Sequence, residues 1–276
     1  MASILVTDDD ATTRLMVRGL LKKAGYSVAT ASDGMKAFEA LRKRRFDLVL
    51  LDIWMPKMNG LALLGRLHEE KYIPKIVVMT SDRTSDTLLD ALRGRVYQFL
   101  TKPLDATTLL TTVENALSMS PEVPAIEVVS ANANWVELMV PCERTVVSRV
   151  QSFLIHMDTG LSADVLEKVG YAFRELLNNA IEWGGHLDPN LKVRVSYIRT
   201  KHMLMYRLDD PGQGFKLEEL KHAAINNPQD NPMAHMQERE ARGMRPGGLG
   251  LMLTQQLVDE LVYNEKRNSV VLIKYL

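Results

Sequence analysis

The sequence predicts an α/β protein of two units, and three observations carry that prediction. Over residues 1–120, short β-like runs alternate with amphipathic segments. Near Ser118 the helical periodicity fades into "SMSPEVPAIEVVSANAN", where Pro121 and Pro124 mark a break. Beyond it a different order begins: strand, two helices, two strands, a long polar segment, a helix and a strand. A length of 276 residues suits two domains of roughly 100–150 residues each.

In the first unit "SILVT", "YSVATA", "FDLVLLD", "KIVVMTS" and "VYQFLTK" read as five strands. Helical patterns start near Ala11, Gly34, Asn59, Ser85 and Asp105. "DLVLL" and "KIVVM" are nearly continuous apolar runs, as in strands covered on both faces. Five such repeats predict a doubly wound five-stranded parallel sheet, with its ligands at the C-terminal strand ends. The segment 121–133 reads as a linker between domains at 1–120 and 134–276.

In the second unit "WVELMVP" reads as a strand, and "RTVVSRVQSFLIHM" and "SADVLEKVGYAFRELLNNAIEWG" as helices, the latter N-capped by Ser162. "KVRVSYIRT" and "HMLMYRLDD" suit a hairpin. A Pro/Asn/Gln-rich segment follows from Lys216 to Pro246. "GLGLMLTQQLVDEL" then reads as a helix opened by glycines, and "SVVLIKYL" as a strand.

Composition excludes more than it identifies. Thirty-four basic residues balance thirty-four acidic ones, so bulk charge favours neither nucleic acid nor a membrane surface. The second half also lacks helix-turn-helix spacing and a basic recognition helix. No apolar run is long enough to span a bilayer, and "MASILVTDDD" lacks the basic start of a signal peptide. A single cysteine, Cys142, cannot form an internal disulfide, and a cytoplasmic location is expected.

Chemistry is concentrated at the strand ends of the first unit. Asp8, Asp9 and Asp10 follow the first strand, Asp52 the third, Thr80 the fourth and Lys102 the fifth. Carboxylates brought that close repel one another unless a cation neutralises them, and hard oxygen ligands suit Mg²⁺. Capping of nearby helices would explain each acid alone, but not polar residues at the ends of four strands of one sheet.

"ILVTDDD", "LLDIWMPKMNG", "VVMTS" and "FLTKP", in this order and spacing, closely resemble the receiver domain of bacterial response regulators. The resemblance implies a CheY-like, flavodoxin-type fold with Asp52 as phosphoacceptor. It assigns Mg²⁺ to Asp9, Asp52 and the backbone carbonyl of Trp54, with Asp8 acting through water. Thr80 and Lys102 would contact the phosphoryl group, Phe99 would switch with Thr80, and Pro103 would follow a cis peptide bond. An upstream sensor histidine kinase would be the partner.

The second unit poses its question in "RELLNNAIEWGG", residues 174–185. A helix with an apolar face at Leu176, Leu177, Ala180 and Ile181 carries Glu175, Asn178 and Asn179 in its middle, although Asn is a poor interior helix residue. Glu175 and Asn179 are four apart and share a face. Downstream, "LDDPGQGF" supplies Asp210, Gly212 and Gly214 in a turn after a strand, and "RPGGLGLM" puts Gly247, Gly248 and Gly250 at a helix start. A buried Asp can accept a hydrogen bond from an exocyclic amine, and backbone amides at a helix start can cradle phosphates.

The ordered set resembles the GHKL (Bergerat) ATPase fold, an α/β two-layer sandwich, and within it the anti-sigma-factor serine kinases (RsbW-like). The resemblance implies ATP as cofactor, with Asn179 as Mg²⁺ ligand, Glu175 as general base and Asp210 at adenine. Gly212, Gly214, Gly248 and Gly250 would shape the pocket and its lid, with Arg242 or Arg245 reaching phosphate. The family usually has a His near the end of this helix, where Glu182-Trp183 stands here, and Pro211 stiffens the Asp-Gly turn. The function implied is a response regulator whose Asp52 phosphorylation controls phosphorylation of Ser or Thr on a partner, a protein antagonist or sigma-factor-like target. The alternative is a nucleotide-bound module that sequesters such a partner with little turnover. Both families often form homodimers.

Overall fold

The computed structural model describes residues 1–70, 74–81, 85–94, 96–118, 125–132, 134–157, 161–216, 231, 233–241 and 248–276. The chain divides into two compact units, Met1–Ala125 and Ile126–Leu276.

The first unit alternates β1 (Ser3–Thr7), α1 (Ala11–Lys23), β2 (Ser27–Ala31), α2 (Gly34–Lys43), β3 (Leu48–Asp52), α3 (Gly60–Glu69), β4 (Lys75–Thr80), α4 (Ser85–Arg93), β5 (Gln98–Thr101) and α5 (Ala106–Ser118). The strands form one parallel sheet in the order β2-β1-β3-β4-β5. The order reverses beside β1, which opens a crevice at the C-terminal ends of β1 and β3. Every residue of β3 is buried, which its apolar run requires for a strand covered on both faces. Ile4, Val6, Leu48, Leu50, Val77 and Met79 meet Val17, Leu21, Leu109 and Val113 of α1 and α5 in the core.

Side-chain caps start α1, α2 and α3. Asp10 accepts from the backbone N–H of Thr12 and Thr13 at 3.2 and 2.8 Å, Asp33 from Lys36 at 2.9 Å and Asn59 from Ala62 at 2.8 Å. Each cap lies at the end of a strand-to-helix loop, so capping also fixes the loops that hold the acids.

The second unit is a six-stranded antiparallel sheet, with helices packed on it. Its elements are β6 (Glu127–Asn132), β7 (Trp135–Pro141), a 3-10 turn (Arg144–Val146), α6 (Val147–Met157), α7 (Ala163–Asn179), a π-helical turn (Ala180–Gly184), β8 (Lys192–Arg199), β9 (Met203–Asp209), α8 (Ala234–Ala241), α9 (Gly250–Leu257), β10 (Glu260–Tyr263) and β11 (Ser269–Tyr275). Strand order is β10-β11-β9-β8-β7-β6. Val193, Val195, Tyr197, Leu204, Tyr206 and Leu208 alternate as the buried face of the β8–β9 hairpin, and Phe173 of α7 packs on Tyr206 with ring centroids 5.0 Å apart.

Three segments differ from the reading of the sequence. The span 121–133 is not all linker, because it contains β6. This strand lies at the sheet edge with a mostly exposed surface and a register shift between Val128 and Ser130, so it lacks the alternation that marks a half-buried strand. The helix opened by glycines ends at Leu257 rather than Leu261. Val258 turns extended (φ −117, ψ 162), and Asp259 accepts from Lys274 Nζ at 2.7 Å and from the Tyr275 N–H at 2.6 Å, turning the chain into β10. The polar segment from Lys216 to Pro246 includes α8. Among the described residues no helix is long and apolar enough to cross a membrane.

Candidate functional site

Two sites are built, one in each unit. In the first, β1 delivers Asp8 and Asp9, and β3 delivers Asp52. One carboxylate oxygen from each lies within 4.8 Å of the corresponding oxygens of the other two. Asp8 and Asp52 are buried and Asp9 is exposed. Three oxygen donors of like charge at this spacing suit a hard divalent cation with an open coordination side.

The third acid of the run does a different job. Asp10 caps α1, and its carboxyl is held below the usual range by hydrogen bonds from the side chain and backbone of Thr13 and the backbone of Thr12. Its own N–H donates to Asp8 Oδ1 at 3.0 Å.

Lys102, from the end of β5, spans the two buried acids. Its ammonium lies 2.5 Å from Asp52 Oδ2 and 2.9 Å from Asp8 Oδ2. Burial works against the charged ammonium, but the two carboxylates outweigh it and raise Lys102 above its ordinary value. Asp52 is also raised, chiefly by burial and further by Asp8, with Lys102 opposing. The other oxygen, Oδ1, accepts the Trp54 N–H at 3.2 Å. The Trp54 indole is 53% exposed, so it stands over the surface rather than in the core.

Thr80 is fully buried at the end of β4, beside Asp52 in the sheet register through Met79. Phe99 is buried in β5 opposite Val78. The Lys102–Pro103 peptide is cis. The role of Arg14 is not evident from sequence. Its guanidinium donates to the carbonyls of Asp8 and Asp9 at 2.7 and 2.8 Å, fixing the acid loop from α1. Its only sequence signal is its place one helical turn beyond the acids.

In the second unit Glu175, Asn179, Asp210, Gly212, Gly214, Gly248 and Gly250 all line one cavity of about 780 Å³. Asn178 does not line it. Arg242 and Arg245 lie outside the described residues. The cavity is large enough for a nucleotide, as ligand pockets commonly span roughly 300–1,000 Å³.

α7 presents Glu175 and Asn179 to this space. Immediately after Asn179 the helix widens into the π-helical turn, a feature concentrated at functional sites, and this brings Trp183 and Gly184 to the wall. Asp210 follows β9. Its Oδ1 accepts the Gly212 N–H at 2.8 Å. Burial raises its carboxyl above the usual range against that hydrogen bond, and Asp209 adds to the rise.

The turn between β10 and β11 steadies this loop. The Asp210 N–H donates to the Asn268 carbonyl at 2.9 Å, and Asn268 Nδ2 donates to the Gly212 carbonyl at 3.2 Å. Tyr263, Phe215 and Arg267 complete that wall, with the Phe215 and Tyr263 rings edge-on at 5.8 Å. These residues carry no motif in the sequence. At the far wall a Cβ on Gly250 would overlap the Glu175 carboxylate, so any larger residue there would push that side chain aside.

These two arrangements define a class. Clustered acids crossed by a lysine at the C-terminal edge of a doubly wound sheet make a receiver-type site, and the second unit adds a nucleotide-sized cavity. Comparison with known proteins agrees. The model of the response regulator receiver domain matches residues 4–114, and that of the histidine kinase-like ATPase domain matches residues 142–274. The protein PilH of Pseudomonas aeruginosa is 36% identical over 121 residues, covering 43% of this chain and 99% of that protein. The transcriptional regulatory protein ZraR of Escherichia coli K12 is 32% identical over 184 residues, 61% of this chain. The match spans only 40% of the length of ZraR. Among solved structures, the Vibrio cholerae chemotaxis protein CheY4 is 32% identical over 42% of this chain and 99% of its own, with a TM-score of 0.40. The chain belongs to the response-regulator receiver family, with a histidine kinase-like ATPase domain following the receiver.

Proposed function

We propose that this protein is a phosphorylation-gated, ATP-dependent switch. Asp52 accepts a phosphoryl group from an upstream sensor histidine kinase. A carboxylate oxygen of Asp52 forms the new bond to phosphorus as the bond to the donor histidine nitrogen breaks. Asp9, Asp52 and the Trp54 carbonyl would hold Mg²⁺, with Asp8 acting through water, and the bound cation would supply positive charge to neutralise the transferring group. Lys102 and Thr80 then bind the phosphoryl oxygens, and Phe99 follows Thr80 in changing the receiver surface.

That change controls the second unit, where Asp210 accepts the amine of adenine and Asn179 helps hold Mg-ATP. Glu175 takes the proton from a Ser or Thr hydroxyl of a partner protein as that oxygen attacks the terminal phosphorus and ADP leaves. The observation that supports this reading best is that seven residues picked from three separate motifs between 175 and 250 line a single cavity.

The test is nucleotide binding and phosphoryl transfer to candidate antagonist proteins. Wild type binds Mg-ATP and transfers phosphate, Asn179→Ala loses binding, and Glu175→Ala binds but does not transfer. Unchanged binding by Asn179→Ala would sink the assignment of the cavity. A wild type that binds ATP and retains its partner without transfer would instead make the domain a sequestering module.

A further inference from the structure

The loop Ile53–Asn59 connects Asp52 to the cap of α3 and carries Trp54, and it contains a strained turn. Lys57 has φ 65, in the left-handed region that a lysine rarely adopts. The Met58 N–H reaches back to the Pro56 carbonyl at 2.8 Å, which closes a γ-turn around Lys57. The γ-turn with positive φ is the rare, strained form, and it persists only where its surroundings hold it.

Those surroundings come from the corner between β2 and α2. The Gly34 N–H donates to the Met58 carbonyl at 3.1 Å. A Cβ on Gly34 would overlap that carbonyl, so only glycine permits the approach. Next to it, Lys57 Nζ lies 3.3 Å from Oδ2 of Asp33, a carboxylate with only 3% of its side chain exposed. Asp33 Oδ1 is occupied separately as the cap of α2, accepting the Lys36 N–H. One buried acid therefore starts a helix with one oxygen and holds the strained turn with the other, which also accepts from the Ser32 hydroxyl at 3.3 Å and lies 3.8 Å from Lys36 Nζ.

Neither Asp33 nor Lys57 touches the acid cluster, and the proposed function gives them no part. We propose that Asp33 and Lys57 are positioning residues for the Mg²⁺ site: their ion pair holds the γ-turn, and the turn holds the loop that aims the Trp54 backbone at the cation beside Asp52. This rests on the reading of Asp8, Asp9 and Asp52 as that site. The loop is short and anchored at both ends, by the Gly60 N–H to the Ile53 carbonyl at 2.7 Å and by the Trp54 N–H to Asp52 Oδ1. A turn released at Lys57 has few other residues over which to spread its shift.

The experiment measures Mg²⁺ affinity of the full chain by calorimetric titration, with thermal unfolding alongside. Asp33→Asn keeps a cap-forming side chain and removes the charge. Lys57→Met removes the ammonium and still places at 57 a side chain that disfavours positive φ. Each is expected to weaken Mg²⁺ about tenfold, as loss of outer support to metal ligands commonly does. The double variant is expected to be no weaker than the weaker single one, because both remove the same contact. Lys57→Gly loses the ammonium but relaxes the turn, and is expected to recover most of the affinity. Melting temperature should not follow this order, as it would if the pair served stability alone. Wild-type affinity in both single variants overturns the inference, as does a Lys57→Gly variant as weak as Lys57→Met. A wild type that does not bind Mg²⁺ overturns the reading of the acid site itself.

Discussion

Replacing Lys102 by methionine tests how the acid site is held when no cation is bound. Asp8 and Asp52 have side chains 0% and 6% exposed, and both meet the one ammonium, itself 20% exposed. At an effective dielectric near 20, Coulomb's law gives roughly 6 kcal/mol for each contact at these distances. Desolvation of the ammonium offsets much of this. Breaking a buried pair by removing one partner typically leaves a net loss of roughly 3–5 kcal/mol, because the remaining charges are stranded. At about 4 °C per kcal/mol for a unit of this size, the receiver transition falls by roughly 10–20 °C.

The assay is calorimetry of wild type and Lys102→Met, each in chelator and in excess Mg²⁺. The variant is expected to gain more from Mg²⁺ than wild type does, since the metal supplies the missing positive charge. A variant within about 1 kcal/mol of wild type in chelator, with an equal Mg²⁺ increment, would refute the reasoning, since that is the range of an exposed ion pair.

Other expectations concern the second unit. Asp210→Asn should abolish nucleotide binding yet raise the stability of the empty domain, seen as a higher melting temperature at neutral pH. The sign follows from the raised carboxyl: the folded state holds the proton more tightly, so the stability of wild type falls as pH rises from the ordinary carboxylate value through the raised one. Asparagine removes that fall, which a pH series of melting curves would show. Gly250→Ala should slow phosphoryl transfer on the order of tenfold or more while a fluorescent ATP analogue still binds, because the new methyl displaces the Glu175 carboxylate. Phe173→Ala should cost about 3–5 kcal/mol in denaturant unfolding, since the ring is 2% exposed and packs on Tyr206.

The first unit was legible because its signals are local. Buried parallel strands write continuous apolar runs, as in "DLVLL", and each strand end carries its functional side chain within a residue or two. The second unit was legible only in its motifs. β6 escaped notice because an edge strand with a bulge has little to alternate. The first two residues of β10, Glu260 and Leu261, read as the end of a helix because "LVDEL" suits one, but pairing with β11 and the capture of Lys274 by Asp259 override propensity. The π-helical turn cannot be seen in "NNAIEWGG", since it ends the helix at Gly184 and no further apolar turn follows to record the shift in phase. Arg14, Asn268 and Arg267 escaped for another reason: they act through backbone carbonyls or ring faces brought near by the fold, which no spacing records.

The central claim is that Asp52 controls the cavity of the second unit. Its most direct test is the Mg-ATP affinity and phosphoryl-transfer rate of the full chain, before and after phosphorylation of Asp52 with a small-molecule phosphodonor, beside Asp52→Asn. Wild type should change in affinity or rate on phosphorylation, and Asp52→Asn should not respond to the donor. Identical affinity and rate in phosphorylated and unphosphorylated wild type would contradict the account.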